Sequence, residues 1–570
     1  MIKQLYTRWL EKTAENAEVY NELTAIAGQD DQIEDRFYRE LEFGTGGLRG
    51  ILGAGTNRMN VYTIGKATQG LSRYLCRTFE NPSVAIGHDS RINSDLFART
   101  AAEVFAANGI RVWLYPKLMP TPAVSFAIRD LGCSSGVMVT ASHNPAKYNG
   151  YKAYGPDGCQ ITAEAAKAIQ QAIDETDPFD DVKHTDFDKA VESGLITYIG
   201  EETVGRYMAA IDSASVLPAG VDKNVSIVYT PLNGAGLSCV PRCLTEHGFT
   251  NFVMPPEQDH PDGNFPTCPY PNPEIREALE VGLKLAEKTG SDMLLATDPD
   301  CDRVGVAVRG KEGYTLISGN EMGVLLLDFI CKMRTAAGTM PKDPIAVKTI
   351  VTTPLAARVA EHYGVKLIDV LTGFKYIGEQ IAIVEKEGRP DRYIFGFEES
   401  YGYLSGSFVR DKDAVNASLL ICEMFAWYRA QGKSLVDVLE ELYQAYGFYQ
   451  SKLLSFTFEG SQGFALMQKT MDDMRKAPPK EILGCKVAAF GDYQASTMAY
   501  ADGKVETIDL PSSNVLRFFL EGGMEVVVRP SGTEPKLKIY LTAIAPTKAE
   551  SAKVVAALAD HFTDMISSVK

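Results

Sequence analysis

Ser142 stands where a short apolar run, Val137-Met138-Val139-Thr140-Ala141, gives way to His143-Asn144-Pro145. Proline fixes its own φ and pushes the residue before it out of the α region, so the chain must turn here. The Ser142 hydroxyl therefore belongs on a bent loop at the end of a strand, where a nucleophile or a phosphate carrier is useful. The plain alternative is a solvated hydroxyl in a strand-to-loop turn. A hydrolase nucleophile is disfavoured, because the glycines of a G-x-S-x-G elbow are missing. Adjacency in sequence does not make His143 its base. A serine hydroxyl can also carry a phosphoryl group covalently, splitting one difficult transfer into two.

A second stretch, Asp298-Pro299-Asp300-Cys301-Asp302-Arg303, alternates three carboxylates. Carboxylates this close repel one another unless a cation lies between them. All-oxygen ligands favour a hard ion such as Mg2+, which keeps room for a phosphate oxygen. An EF-hand begins similarly, but it needs Gly at its sixth position and Glu at its twelfth. Arg303 and Arg309 stand there, so a calcium sensor is excluded. An acidic surface turn is the plain alternative.

Two further stretches offer polar recognition. In Gly396-Phe397-Glu398-Glu399-Ser400, Glu398 and Ser400 supply an acceptor and a donor–acceptor that match vicinal sugar hydroxyls. A glycosidase reading of the Glu398–Glu399 pair fails, because adjacent residues on an extended loop point in opposite directions. In Arg529-Pro530-Ser531-Gly532-Thr533-Glu534-Pro535-Lys536, a planar guanidinium, two hydroxyls, a lysine and the backbone N–H groups at Gly532 form an anion cradle.

The elements that must position these residues share one design. Each polar stretch follows a buried-type strand: Val137–Val139, Asp292–Thr297, Arg392–Phe395 and Met524–Val528. In open α/β sheets ligands bind beyond the carboxyl ends of strands, so four such loops point to one shared cleft.

Together the four motifs resemble the α-D-phosphohexomutases, the phosphoglucomutase and phosphomannomutase superfamily. Within it, Leu41-Glu42-Phe43-Gly44-Thr45-Gly46-Gly47-Leu48-Arg49-Gly50 and Gly396-Phe397-Glu398-Glu399-Ser400-Tyr401-Gly402 look like the branch of bacterial phosphoglucomutases and the phosphopentomutase-like enzymes of animals. The resemblance covers nearly the whole chain, with the motifs in the family's order. It implies a Mg2+-dependent mutase that interconverts glucose 1-phosphate and glucose 6-phosphate. Phospho-Ser142 is then the active form, and glucose 1,6-bisphosphate is both intermediate and activator. Ser142, Asp298, Asp300 and Asp302 become the metal ligands, with Arg303 beside the phosphate. Glu398 and Ser400 grip the sugar, leaving Glu399 structural. Arg529, Ser531, Gly532, Thr533 and Lys536 hold the non-reacting phosphate. Arg49 and His143 are expected at the reacting phosphate or substrate, and Lys152 and Lys375 are the acid/base candidates. Alone, either lysine reads as a solvated surface residue; a buried lysine among other cations can have its pKa lowered enough to accept a proton. Two departures stand out: Cys301, where relatives often have Ala, and Asn233, where they commonly have His.

Phosphopentomutase, phosphomannomutase and sugar-bisphosphate synthase remain alternatives within the class. A phosphatase would need a path for water that a mutase must block. A non-catalytic phosphosugar-binding regulator would need neither the serine nor the three aspartates.

At 570 residues the chain exceeds what one hydrophobic core serves. Lys+Arg 57 against Asp+Glu 73 leaves a net charge of -16, which argues against nucleic-acid binding and requires a local basic cluster for an anionic substrate. The 10 cysteines form no CxxC pairs with zinc spacing and read as reduced thiols. Met1 to Tyr20 lacks the apolar core of a signal peptide, and runs such as Val324–Leu327 are too short to span a bilayer. A cytoplasmic protein without membrane contact is expected, as monomer or homodimer.

Trp9, Ala14, Val19 and Leu23 predict one amphipathic opening helix. Thereafter strands and helices alternate, signalling mainly parallel sheets. The fold class is α/β: three similar α/β domains with mixed sheets, then a smaller C-terminal α+β domain, around one central cleft. The expected domains are 1–206 with the phosphoserine loop, 207–319 with the metal loop, 320–446 with the sugar loop, and 447–570 with the phosphate loop. A Pro-rich loop over Pro255–Pro273 falls in the second.

Overall fold

The computed structural model describes residues 2–458, 460–531 and 536–569. It contains three α/β units with mixed sheets and a C-terminal α+β unit. The first sheet runs in the order Leu48–Ile51, Tyr148–Tyr154, Ser135–Val139, Ser83–His88, Arg111–Leu114, Ile196–Tyr198. The second places Gly313–Ile317, Val304–Gly310, Met293–Thr297, Ile227–Thr230 and Phe252–Val253 side by side. The third orders Lys366–Val370, Ile345–Thr349, Tyr393–Glu398 and Gly402–Leu404. The described pairs of the fourth sheet are all antiparallel, and the helices Gly460–Lys476 and Lys548–Val569 accompany it.

The three α/β units repeat one local arrangement. The strand before each functional loop lies parallel to its neighbour on one side: Ser135–Val139 beside Ser83–His88, Met293–Thr297 beside Ile227–Thr230, Tyr393–Glu398 beside Ile345–Thr349. On its other side it pairs antiparallel with the next strand in sequence. Each functional loop is therefore a hairpin connection rather than a strand-to-helix turn, and the strands Glu525–Pro530 and Lys536–Ala545 of the fourth unit pair in the same way. A hairpin returns the chain at once, so residues on both of its strands reach the same end of the sheet.

One apolar cluster runs through the first three units, from Tyr115 and Phe126 through Tyr229 and Leu295 to Phe397 and Leu420. The fourth unit has its own core, around Met471, Phe518, Ile539 and Phe562. It meets the third through a smaller cluster that joins Ile350, Val351 and Leu371 to Tyr493, Val527 and Tyr540. Beside that cluster, buried Lys348 pairs with Asp369 at 2.9 Å, and Arg517 of the fourth unit reaches the same carboxylate at 3.5 Å.

Some expectations need correction. The opening helix is two helices, Ile2–Lys12 and Ala17–Ala25. Asn16 caps the second by accepting from the N–H of Val19, so it ends one helix run and starts another. Trp9, Val19 and Leu23 share a cluster as expected, whereas Ala14 is exposed. The boundary expected at residue 206 falls inside the helix Glu201–Asp212, whose Arg206 pairs with Asp130 at 2.5 Å. Glu398 and Arg529 are strand residues rather than loop residues. Among the described residues, no helix is long and apolar enough to cross a membrane.

Candidate active site

The strand Ser135–Val139 is wholly buried and delivers Ser142 three residues beyond its end. Ser142 has φ 52°, in the left-handed region that residues with a side chain seldom adopt. Its N–H donates to Thr140 Oγ1 at 2.8 Å, and Thr140 Oγ1 donates in turn to Asp89 Oδ2 at 2.6 Å. The bend aims the Ser142 hydroxyl across a unit boundary, where it donates to Asp298 Oδ2 at 2.9 Å. His143 Nδ1 lies 3.2 Å from the same hydroxyl oxygen. Burial, then Arg303 and Arg49, depress the His143 pKa and keep its ring neutral. The Arg49 guanidinium is 3.4 Å from the Asn144 side chain on the same loop.

Asp298, Asp300 and Asp302 lie on the hairpin between Met293–Thr297 and Val304–Gly310, closed where Thr297 faces Val304. All three are buried, and one oxygen of each lies within 4.8 Å of the others. Asp298 Oδ1 accepts the N–H groups of Asp302 and Arg303 at 3.1 and 3.0 Å. Asp300 Oδ2 accepts from Thr121 Oγ1 at 2.8 Å and from Lys152 Nζ at 2.7 Å. Asp302 Oδ2 is 3.1 Å from both Lys152 Nζ and Lys412 Nζ. The second oxygens, Asp300 Oδ1 and Asp302 Oδ1, are buried with no hydrogen-bond partner. Orphaned buried acceptors are rare, and two of them on a trio of carboxylates whose oxygens converge within 4.8 Å, with a hydroxyl on Asp298, make a donor set for a hard cation.

Charge balance here sets the protonation states. Burial, then Asp300 and Asp302, push the Asp298 pKa well above the usual carboxylate range. Burial also works to raise that of Asp302, but Lys152, Lys412 and Arg303 outweigh it and hold the group ionised. Lys152 feels burial too, yet Asp300, Asp302 and Asp411 raise its pKa, so it stays an ammonium. Lys375 differs: burial lowers its pKa, opposed only by Glu379.

Glu398 ends its strand opposite Gly402 and accepts the N–H of Gly373 at 2.9 Å, two residues before Lys375. Burial raises its pKa to about 7 against the pull of Lys412 and Arg303. Glu399 turns the other way, accepting from Thr349 and Thr352 at 3.3 and 3.2 Å. Ser400 is half-buried just beyond. Burial raises the Glu399 pKa, with Arg529 near enough to oppose the rise, and the Arg529 guanidinium donates to Tyr540 OH at 3.4 Å. The Ser531 N–H donates to Lys536 O at 2.7 Å. Gly532 and Thr533 lie outside the described residues.

Sequence reasoning passed over several groups around this centre. Lys412 belongs to the run Arg410-Asp411-Lys412-Asp413, all four residues of it buried. Charges alternating just before an apolar helix were the available signal. Thr121, Asp89 and Arg91 carried none, because each acts through a contact remote in sequence, and Thr140, only two residues from Ser142, reads from sequence as part of the apolar run.

Four stretches match the phosphoglucomutase/phosphomannomutase family: its alpha/beta/alpha domains I, II and III over residues 40–179, 205–312 and 318–446, and its C-terminal domain over 475–561. The chain belongs to this family. A relative named phosphoglucomutase, from Staphylococcus aureus (strain MRSA252), is 37% identical over 527 residues, covering 91% of this chain and 92% of its own. The same fold occurs in a phosphomannomutase-like protein of Thermus thermophilus, at TM-score 0.68 and 24% identity, over 93% of this chain and 99% of that one. It occurs also in parafusin, the exocytosis-sensitive phosphoprotein and phosphoglucomutase of Paramecium, at TM-score 0.66 and 18% identity, over 92% and 95% of the two chains.

Proposed function

We propose that this chain is a phosphoglucomutase, interconverting glucose 1-phosphate and glucose 6-phosphate, with Ser142 as the phosphoryl carrier. The observation that carries this reading is the Ser142 hydroxyl, 2.9 Å from Asp298 Oδ2 on a buried carboxylate trio whose oxygens, one from each of Asp298, Asp300 and Asp302, lie within 4.8 Å of one another. Mere binding of a phosphosugar needs neither a strained serine nor a buried acidic trio.

In the forward half-reaction the bond from phosphorus to Ser142 Oγ breaks as one forms to the sugar's free hydroxyl oxygen, and that hydroxyl's proton passes to a base. The resulting glucose 1,6-bisphosphate reverses in the cleft; the bond from its other phosphorus to the sugar oxygen then breaks as one forms to Ser142 Oγ, and the leaving sugar oxygen receives the proton the base had taken. Ser142, Asp298, Asp300 and Asp302 would hold Mg2+, which bound there supplies positive charge to the phosphoryl oxygens. Arg303, with Arg49, adds positive charge beside the reacting phosphate, and neutral His143 contacts it. Glu398 and Ser400 hold the sugar hydroxyls in either orientation. Arg529, Ser531, Gly532, Thr533 and Lys536 hold the phosphate that is not reacting. Lys375, with its lowered pKa, suits the proton acceptor; Lys152, held as a cation between Asp300 and Asp302, suits charge neutralisation.

The test is to dephosphorylate the protein, add glucose 1-phosphate, Mg2+ and a trace of glucose 1,6-bisphosphate, and follow glucose 6-phosphate and inorganic phosphate together. Many turnovers per bisphosphate with negligible phosphate release are expected. Phosphate released in step with bisphosphate loss would make the protein a phosphatase instead.

A further inference from the structure

The carbonyl oxygens of the Ser142 loop converge on one side chain that the mechanism above leaves without a role. Arg91 donates through one terminal nitrogen to the carbonyls of Pro145 and Tyr148, both at 3.0 Å. Through the other it donates to that of Ser142 at 2.6 Å and to that of Asn144. Four carbonyls turned inward would repel one another around an empty centre. A planar guanidinium with donors on fixed vectors can serve them all at once. The Arg91 side chain is fully buried, and Asp89, 3.4 Å from its Nε, balances its charge. Asp89 also accepts from Thr140 Oγ1, whose oxygen receives the Ser142 N–H. Both the carbonyl and the amide of Ser142 thus trace back to this buried pair.

The second unit closes over the pair. Its Pro-rich loop sets the Phe265 ring 5.1 Å from the Arg91 guanidinium carbon. The loop fits so closely that a methyl group at Gly263 would come within 2.4 Å of Ile92 N. The same unit carries the three aspartates.

We propose that Arg91 is a positioning residue that imposes the left-handed turn at Ser142 and aims its hydroxyl at Asp298, with Phe265 locking it from the second unit. The proposal rests on the reading of Ser142 as phosphoryl carrier. Arg91 holds main-chain carbonyls rather than the Ser142 hydroxyl, so its removal acts on the transfer step and not on sugar recognition by Glu398 or phosphate binding by Arg529.

The test uses dephosphorylated wild-type protein, Arg91→Lys and Phe265→Leu. Lysine keeps the charge but offers a single ammonium that cannot reach all four carbonyls. Each protein receives glucose 1,6-bisphosphate, and the appearance of phospho-Ser142 is timed by intact mass; kcat and KM for glucose 1-phosphate are measured alongside. A misplacement near 1 Å slows chemistry by about 100-fold, so Arg91→Lys is expected to phosphorylate and turn over about 100-fold more slowly. KM should stay within about threefold, because ground-state binding is untouched. Phe265→Leu should give a smaller loss of kcat with the same unchanged KM, and it decides the matter if Arg91→Lys does not fold. Variants that phosphorylate Ser142 as fast as a phosphorylatable wild type, or that lose only KM, overturn the proposal. A wild type that never acquires the phosphoryl group overturns the Ser142 reading and takes this proposal with it.

Discussion

Ser142 and Asp298 are 156 positions apart, on loops that follow strands of different sheets, yet the serine hydroxyl donates to the aspartate at 2.9 Å. The contact joins two hairpin loops whose leading strands each have one parallel and one antiparallel neighbour. It places the group that would carry phosphate against the group that would carry metal.

Ser142→Ala removes the oxygen that would bear the phosphoryl group. Turnover is expected to fall by at least about three orders of magnitude, the scale of losing an essential catalytic group. Intact mass should show a phosphoryl adduct on the wild type that the variant lacks. More than a tenth of wild-type activity would refute the carrier role.

Thr121 belongs to the first unit but fixes Asp300 of the second from two sides, through its hydroxyl to Oδ2 and its N–H to the main-chain carbonyl, each at 2.8 Å. It leaves Asp300 Oδ1 without a hydrogen bond. Supporting contacts of this kind are worth about 10–100-fold in metal affinity. Thr121→Val should weaken Mn2+ binding, followed by its EPR signal, within that range, and Thr121→Ser should restore it. Equal affinity in all three proteins would leave Thr121 a packing residue.

Glu398 has its pKa raised by burial to about 7. In its proposed role as an acceptor for sugar hydroxyls it would work best ionised, so KM for glucose 1-phosphate should fall as pH rises from about 6 to 8. Stability moves the other way. The folded state holds this proton more tightly than the unfolded one, so stability declines between the ordinary glutamate pKa and about 7, then levels off. Glu398→Gln should therefore melt higher than wild type at pH 8, by more than at pH 5, while its KM loses the pH trend. A pH-independent wild-type KM would contradict the assignment.

The pairing of Asp369 with Lys348 and Arg517 ties the fourth unit to the third. Burial works to raise the Asp369 pKa, but the two cations hold it below the usual range. Asp369→Asn leaves Lys348, 2% exposed, without its carboxylate. Breaking a buried pair costs about 3–5 kcal/mol, and the partial exposure of Asp369 should bring this to about 1–3 kcal/mol. Arg517 lies in the strand beside Glu525–Pro530, which carries Arg529. The variant should thus raise KM for phosphosugars as well as unfold at lower denaturant. A loss of stability with unchanged KM would separate the pair from the phosphate-binding role proposed for Arg529.

Much of this site was legible from residue types. An alternating acidic trio, a serine before Asn-Pro, a Glu-Glu-Ser and an Arg-Pro-Ser-Gly-Thr each follow an apolar run, and these are local signals that need no tertiary information. Patterning likewise announced the α/β units, because alternation of strands and helices is written in periodicity. The separation of Glu398 from Glu399 was legible too, since neighbouring strand residues must face opposite ways.

Only the tertiary structure decided the rest. That each functional strand returns as a hairpin depends on which strand lies beside it, and pairing direction is a non-local choice among competing partners. Thr121 on Asp300, Lys412 on Asp302 and Arg91 on the Ser142 loop join residues far apart in sequence. The charge state of Lys152 was undetermined for the same reason. Burial alone would have made it a base, but Asp300 and Asp302, brought in by another unit, make it a cation. A side chain's type sets what it can ionise, while the partners that close around it in a low-dielectric interior set whether it does.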